Sequence, residues 1–216
     1  MNKTLYICVD AQKDFMDETG SLFVKGCEDS GLRANMVNLV KKGLTKPNIL
    51  VCTIDYHEKS DDELSDTPDY ITTFPPHCMR LSNGANHINE ISSLMEDSLP
   101  LVINKIKFFS DSIIRESIEL FSMKGESISL IKNKFSVFEG NENAEYVFNI
   151  LKKDFDKVVV FGVTTQVCVY HVAMGLKGMG FDVTIAKNAV KELETIPLEP
   201  ILEEFKEVGI KWENVK

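Results

Sequence analysis

Lys157-Val158-Val159-Val160-Phe161-Gly162-Val163, continuing into Thr164-Thr165-Gln166-Val167-Cys168-Val169-Tyr170-His171, is the stretch from which the fold is read. The first seven residues are rich in β-branched side chains and apolar on both alternating faces. That is the pattern of a parallel strand covered by helices on both sides. The run from Val167 onward is largely apolar and reads as a helix packed on the sheet. A threonine at the junction suits the N-cap. Cys168 is then expected in the first helical turn, at the carboxyl end of a central strand. Free backbone N–H groups there favour a thiolate and can stabilise an oxyanion. A buried cysteine acting only as a small hydrophobe is the competing reading. The placement by itself leaves both open.

Working outward, residues 4–9 and 48–53 read as strands with a helix over 31–44 between them. Strands are expected at 129–132 and 182–187, and helices at 143–153, 167–180 and 197–208. Alternating strands and helices predict an α/β fold, a mainly parallel sheet flanked by helices on both faces. No linker, repeat or low-complexity tract interrupts the chain, so one domain over residues 1–216 is expected. Residues 56–85 have no clear period, and a loop that long in a compact domain is usually functional or mobile. Residues 99–126 read as an insertion holding an extra hairpin or helix.

The net charge of −9 argues against a nucleic-acid or anionic-membrane binder. No apolar run approaches a membrane span, and the start of the chain reaches Asp10 too soon for a signal peptide. Cysteines 8, 27, 52, 78 and 168 are odd in number and form no CxxC pair. Together these predict a reducing, cytoplasmic setting without disulfides or a zinc knuckle.

Ligands of an open parallel sheet bind beyond the carboxyl ends of its strands. Asp10, Asp55 with His57, Lys132 and Cys168 all fall there. Each alone has a bland explanation as a cap, a turn residue or a solvated charge. Their coincidence on one edge does not.

Six ordered segments carry a resemblance. They are Val9-Asp10-Ala11-Gln12-Lys13-Asp14-Phe15, Gly20-Ser21-Leu22, Asp55-Tyr56-His57, Phe74-Pro75-Pro76-His77-Cys78, Lys132-Asn133-Lys134-Phe135-Ser136-Val137-Phe138 and Gly162-Val163-Thr164-Thr165-Gln166-Val167-Cys168-Val169. Together they resemble the isochorismatase-like cysteine hydrolases, in particular their nicotinamidase branch, over almost the whole chain. The resemblance implies a Rossmann-like three-layer fold and a triad of Asp10, Lys132 and Cys168. It implies an oxyanion hole of the Thr164 and Cys168 backbone, with a cis peptide before Thr164. It also implies one divalent cation on Asp55, His57 and His77. Glu63 is the candidate fourth ligand, with Asp61 or Asp62 as alternatives. Oxygen and imidazole donors favour Zn²⁺, with Mn²⁺ or Fe²⁺ as alternatives. Phe15 and Phe74 are implied to flank the substrate ring.

The activity implied is hydrolysis of nicotinamide to nicotinate and ammonia, feeding NAD salvage. Another small amide or carbamoyl compound is the nearest alternative, and a silent binding module on the same fold a more distant one. A dinucleotide binder is disfavoured because no Gly-x-Gly-x-x-Gly follows the first strand. The partner expected is a small amide, with no nucleic acid and no membrane, in a homo-oligomer. Lys105 and Lys107 are rivals to Lys132. Phe74 in place of the common Trp, and Gln166 where Asp is frequent, depart from the family pattern. His87 and His171 read as structural or surface residues.

Overall fold

Strands buried on both faces form the centre of the molecule. The computed structural model describes residues 3–95, 100–107 and 109–216. Its strands are β1 (Thr4–Val9), β2 (Ile49–Asp55), β3 (Leu101–Ile103), β4 (Ile128–Lys132), β5 (Lys157–Val163), β6 (Asp182–Lys191) and β7 (Lys211–Glu213). Among the described residues they make one sheet in the order β3-β4-β2-β1-β5-β6-β7, and every pairing is parallel. Leu5, Ile7, Val9, Leu50, Val51, Val160 and Phe161 are fully buried. The continuous apolar runs of the central strands follow from that two-sided cover.

The helices are α1 (Lys13–Met16), α2 (Ser30–Gly43), α3 (Asn89–Met95), α4 (Asp111–Lys124), α5 (Val137–Gly140), α6 (Ala144–Leu151), α7 (Tyr170–Gly178) and α8 (Glu199–Val208). α2 packs on α3, while α4, α6, α5, α7 and α8 form a second chain of contacts. Right-handed crossovers put these two groups on opposite faces. At the start of α2 the Asp29 carboxylate accepts the Leu32 N–H at 2.7 Å, a side-chain cap of the kind worth about 1 kcal/mol.

Strands are added on one side of β1 and then on the other, so the chain reverses at β1 and β5. Such a reversal opens a crevice at the carboxyl ends. Gly162 lets the two strands approach there. It has φ +124°, and a Cβ on it would lie 2.0 Å from the Val9 carbonyl oxygen. The pairing of β5 with β6 shifts register at the same place. The Val163–Thr164 peptide that follows is cis.

Several boundaries differ from the sequence reading. The helix after β5 does not begin with a threonine side-chain cap. Residues Thr165–Val169 form a π turn first, in which Val169 N–H reaches the Thr164 carbonyl at 3.1 Å. Thr164 makes no capping bond and the Thr165 hydroxyl is buried without a partner. Of residues 99–126, Leu99 and Phe108 lie outside the described residues. The rest holds α4, the helix that is one of the two expected forms, preceded by a short strand β3 that runs parallel to β4. β6 continues to Lys191, because the register shift lets it go on pairing with Gly162 and Val163.

Candidate active site

Asp10 ends β1 with φ +46°, a left-handed conformation that is costly for a residue with a side chain. Three contacts hold it there. Its N–H faces the Thr53 carbonyl at 3.3 Å, and its Oδ1 accepts the Thr53 hydroxyl at 2.6 Å. Its carbonyl accepts the Gln12 N–H at 2.7 Å. Oδ2 is thereby left facing the Lys132 Nζ at 2.9 Å.

Lys132 ends β4, two strands away, and its side chain is 1% exposed. Nζ also meets Asp55 Oδ1 at 3.0 Å and Cys168 Sγ at 3.7 Å. Burial works against its charge, but Asp10 and Asp55 outweigh that and hold its pKa well above the ordinary lysine value. The rival lysines are elsewhere: Lys105 pairs with Asp61 at 3.5 Å and Lys107 with Asp111 at 2.5 Å. Lys132→Met leaves two buried carboxylates without their cation. Removing one partner of a buried pair costs about 3–5 kcal/mol. Urea unfolding of chelator-treated protein should therefore show a loss of about that size. A loss below about 1 kcal/mol would show that the lysine is not what holds the carboxylates.

Cys168 is buried at the π turn. Burial, the largest influence, pushes its thiol pKa well up. Lys132 pulls it down, while Asp10 and Asp55 push it up again. The net direction favours the thiol over the thiolate that the helix start alone would favour, and Asp10 is among the groups that hydrogen-bond it.

Asp55, at the end of β2, turns its other oxygen to two imidazoles. Oδ2 lies 3.0 Å from His57 Nε2 and 3.2 Å from His77 Nε2. Burial would raise the Asp55 pKa, yet Lys132 and the two histidines hold it well below the usual carboxylate range. The donor atoms of Asp55, His57 and His77 lie within 4.8 Å of one another, and all three residues are buried. His77 Nδ1–H donates to the Pro75 carbonyl at 2.7 Å. In the neutral ring, Nε2 therefore presents a lone pair to a carboxylate oxygen, and a cation between them resolves the conflict. The three residues fit a divalent cation on these grounds. His57 Nδ1 is 3.4 Å from Asp61 Oδ2 without a well-formed hydrogen bond.

Glu63 stands on the cavity wall, outside that three-residue cluster, with Oε1 accepting the Phe135 N–H at 2.8 Å. Burial pushes its pKa to about 6 against the pull of Lys132. Asp61 accepts from Asn133 Nδ2 at 2.8 Å, and the Asp62 side chain is exposed. Phe15, Phe74, Thr164 and Cys168 line the same cavity as Asp55, Glu63 and His77. The Phe15 ring lies 5.4 Å from that of His77, and Phe74 lies 6.3 Å from it. The remaining walls are apolar, among them Phe135, Val167 and Leu193.

The sequence reading quoted Gln12, Asp14 and Phe135 within motifs but gave them no task, and it overlooked Thr53. Gln12 Nε2 donates to the carbonyls of Asp55 and Ala85, and its Oε1 accepts the Asp55 N–H at 2.8 Å. It ties the end of β2 to the loop after it. Asp14 accepts the N–H groups of Ser21 and Cys78 at 2.9 and 2.7 Å, fixing the segment that carries His77. His87 is buried, with Nδ1 3.3 Å from the Ala11 carbonyl, and the His171 ring packs edge-on to Tyr170.

An isochorismatase-domain family model matches residues 104–200, the half that carries Lys132 and Cys168. The chain is thus similar, over these residues, to the isochorismatase domain, and the relatives and structures it resembles are nicotinamidases and pyrazinamidases. It is 29% identical over 209 residues to a nicotinamidase/pyrazinamidase of Mycobacterium tuberculosis, covering 89% of this chain and 95% of that relative. The crystal structure of the Bacillus subtilis nicotinamidase/pyrazinamidase PncA superposes with a TM-score of 0.72. Identity is 23%, over 99% of this chain and 100% of that one. The pyrazinamidase of Pyrococcus horikoshii, solved in complex with zinc, gives a TM-score of 0.68 at 22% identity, over 98% and 99% of the two chains. These structures share the isochorismatase-like fold described above.

Proposed function

We propose that this chain is a cysteine amidohydrolase that converts nicotinamide to nicotinate and ammonia. One observation carries the reading. Cys168 lines a mainly apolar cavity together with Asp55 and His77, and behind it the buried Lys132 meets both the Cys168 sulfur and Asp10. The similarity to the M. tuberculosis nicotinamidase/pyrazinamidase supports the substrate.

In this reading Cys168 Sγ attacks the amide carbon while Asp10 takes its proton. The oxyanion of the tetrahedral adduct is held by the backbone N–H groups of Thr164 and Cys168. Asp10 then passes its proton to the amine nitrogen, the C–N bond breaks, and ammonia leaves a thioester on Cys168. Water attacks the thioester with Asp10 again as base, and collapse returns the cysteine and releases the acid. Lys132 keeps Asp10 ionised and aimed at the sulfur. Phe15 and Phe74 hold the ring.

Asp55, His57 and His77 would hold one divalent cation, with Glu63 as a direct or water-bridged fourth partner. Zn²⁺ suits the donors, and Mn²⁺ or Fe²⁺ would also fit. When bound, it supplies an open position for a ring nitrogen. His57→Ala should lower metal content measured by elemental analysis, to below about a tenth of an equivalent. It should raise KM for nicotinamide about 10-fold or more while altering kcat less. Full metal content in that variant would remove His57 from the ligand set, and full activity in excess chelator would move the reading to a metal-free amidase.

The test of the substrate is ammonia release from a panel of amides that includes nicotinamide, pyrazinamide and a carbamoyl compound. The reading requires the two heteroaromatic amides to be preferred. A homo-oligomer and a cytoplasmic location belong to the same proposal. Val102, Ile106, Phe109 and Ile113, all exposed near the sheet edge at β3, support the first. The second is supported by five cysteines that are all free. Among the described residues no helix is long and apolar enough to cross a membrane.

A further inference from the structure

Gln166 lies two residues before Cys168, within the π turn, and its side chain serves a different segment. Nε2 donates to the carbonyls of Leu193 and Ile196 at 3.0 and 2.8 Å. Oε1 accepts the Leu193 N–H at 2.9 Å. One buried amide thus uses both kinds of polar atom on a single short turn beyond β6. Among the described residues, no other side chain hydrogen-bonds the backbone of residues 193–196. The Glu194 side chain reaches out to Lys25 and is largely exposed. Leu193 lines the cavity, and so does Val167, the neighbour of Gln166.

We infer that Gln166 is a positioning residue that sets the size selectivity of the cavity by pinning Leu193 as one of its walls. The chemistry at this position is specific. A carboxylate has no N–H to give, and it would face two carbonyl oxygens. The turn can take its present place only with an amide. Ring discrimination in a hydrophobic pocket rests on such close walls, where one methylene shifts selectivity by about 10–200-fold. Gln166 touches neither substrate nor sulfur in this scheme, so its effect reaches the reaction through the fit of the ring.

The test uses Gln166→Glu, Gln166→Ala and the near-isosteric Gln166→Met. Each is assayed with nicotinamide and with the bicyclic quinoline-3-carboxamide. The variants should raise KM for nicotinamide about 5–20-fold, with kcat within about 3-fold of the parent. The ratio of kcat/KM between the two amides should fall by about 10-fold or more, as the wall retreats. Hydrogen exchange supplies a readout that needs no substrate. The Leu193 amide should exchange at least about 10-fold faster in the Ala and Met variants, while amides of β1 stay protected. An unchanged ratio, a fall in kcat at constant KM, or an unchanged Leu193 amide would each overturn the inference. The selectivity part rests on the amidase reading. A parent protein inactive on nicotinamide would defeat that reading, whereas exchange at Leu193 would still judge the clamp.

Discussion

Cys168→Ala should lower ammonia release from nicotinamide by about four orders of magnitude or more, to the level of binding and electrostatics alone. In the proposed reaction the sulfur is the nucleophile, with Lys132 Nζ at 3.7 Å, and removing it would leave nothing to form the thioester. Stability should hardly fall, because the thiol adds little apolar burial and alanine suits the turn. An aldehyde analogue of the substrate, followed by mass spectrometry, should find its adduct on Cys168. Cys78 is the rival thiol of this region. It is fully buried, and burial with Asp55 beside it pushes its pKa far above the usual thiol range. An adduct on Cys78, with activity kept in Cys168→Ala, would end the assignment.

Asp10→Asn is expected to lower kcat by about 10³-fold, within the range for loss of a general acid–base group, and to leave KM close to its original value. Asparagine can still accept the Thr53 hydroxyl that now bonds Oδ1 at 2.6 Å, but its amide N–H then faces Lys132 Nζ where Oδ2 now stands at 2.9 Å, so the melting temperature should fall as well. The amide cannot take a proton from a thiol whose pKa burial has raised. The measurement is steady-state ammonia release beside a thermal melt. A kcat within about 10-fold of the parent would shift the base role away from Asp10, and Glu63 would be the next group to examine.

The central strands were legible in the sequence for one reason. A strand buried on both faces must be apolar throughout, as at residues 157–163 and 4–9. The short edge strands carry no such signal. β3 has only Leu101, Val102 and Ile103, and β7 only Lys211, Trp212 and Glu213. Neither has the length or alternation to stand out, and each exists because a neighbour offers it hydrogen bonds. The same divide runs through the site. Asp10, Lys132 and Cys168 could be picked out because each follows or ends a readable strand. Thr53 escaped notice, and Gln12 was given no task, because their work is hydrogen bonding to partners 43 residues away. Nor could sequence foretell that the Gln166 amide would bind a turn 27 residues further on. Glu63 was chosen from an acidic loop, and its distinction from Asp62 is burial, which depends on how residues 56–85 fold over the sheet.

The position of β1 has a consequence for how the protein is made. Of the described strands β1 is made before the others and ends as the middle of the sheet, and one of its two neighbours, β5, is translated only after residue 156. Until then Asp10 sits on an open flank and Cys168, which follows β5, does not yet exist. Pairing across such a distance closes late and slowly, and the exposed side of a nascent β1 is a site for mistaken pairing. Activity in this protein therefore reports completion of the whole sheet: no early fragment of the chain can hold a working share of the site.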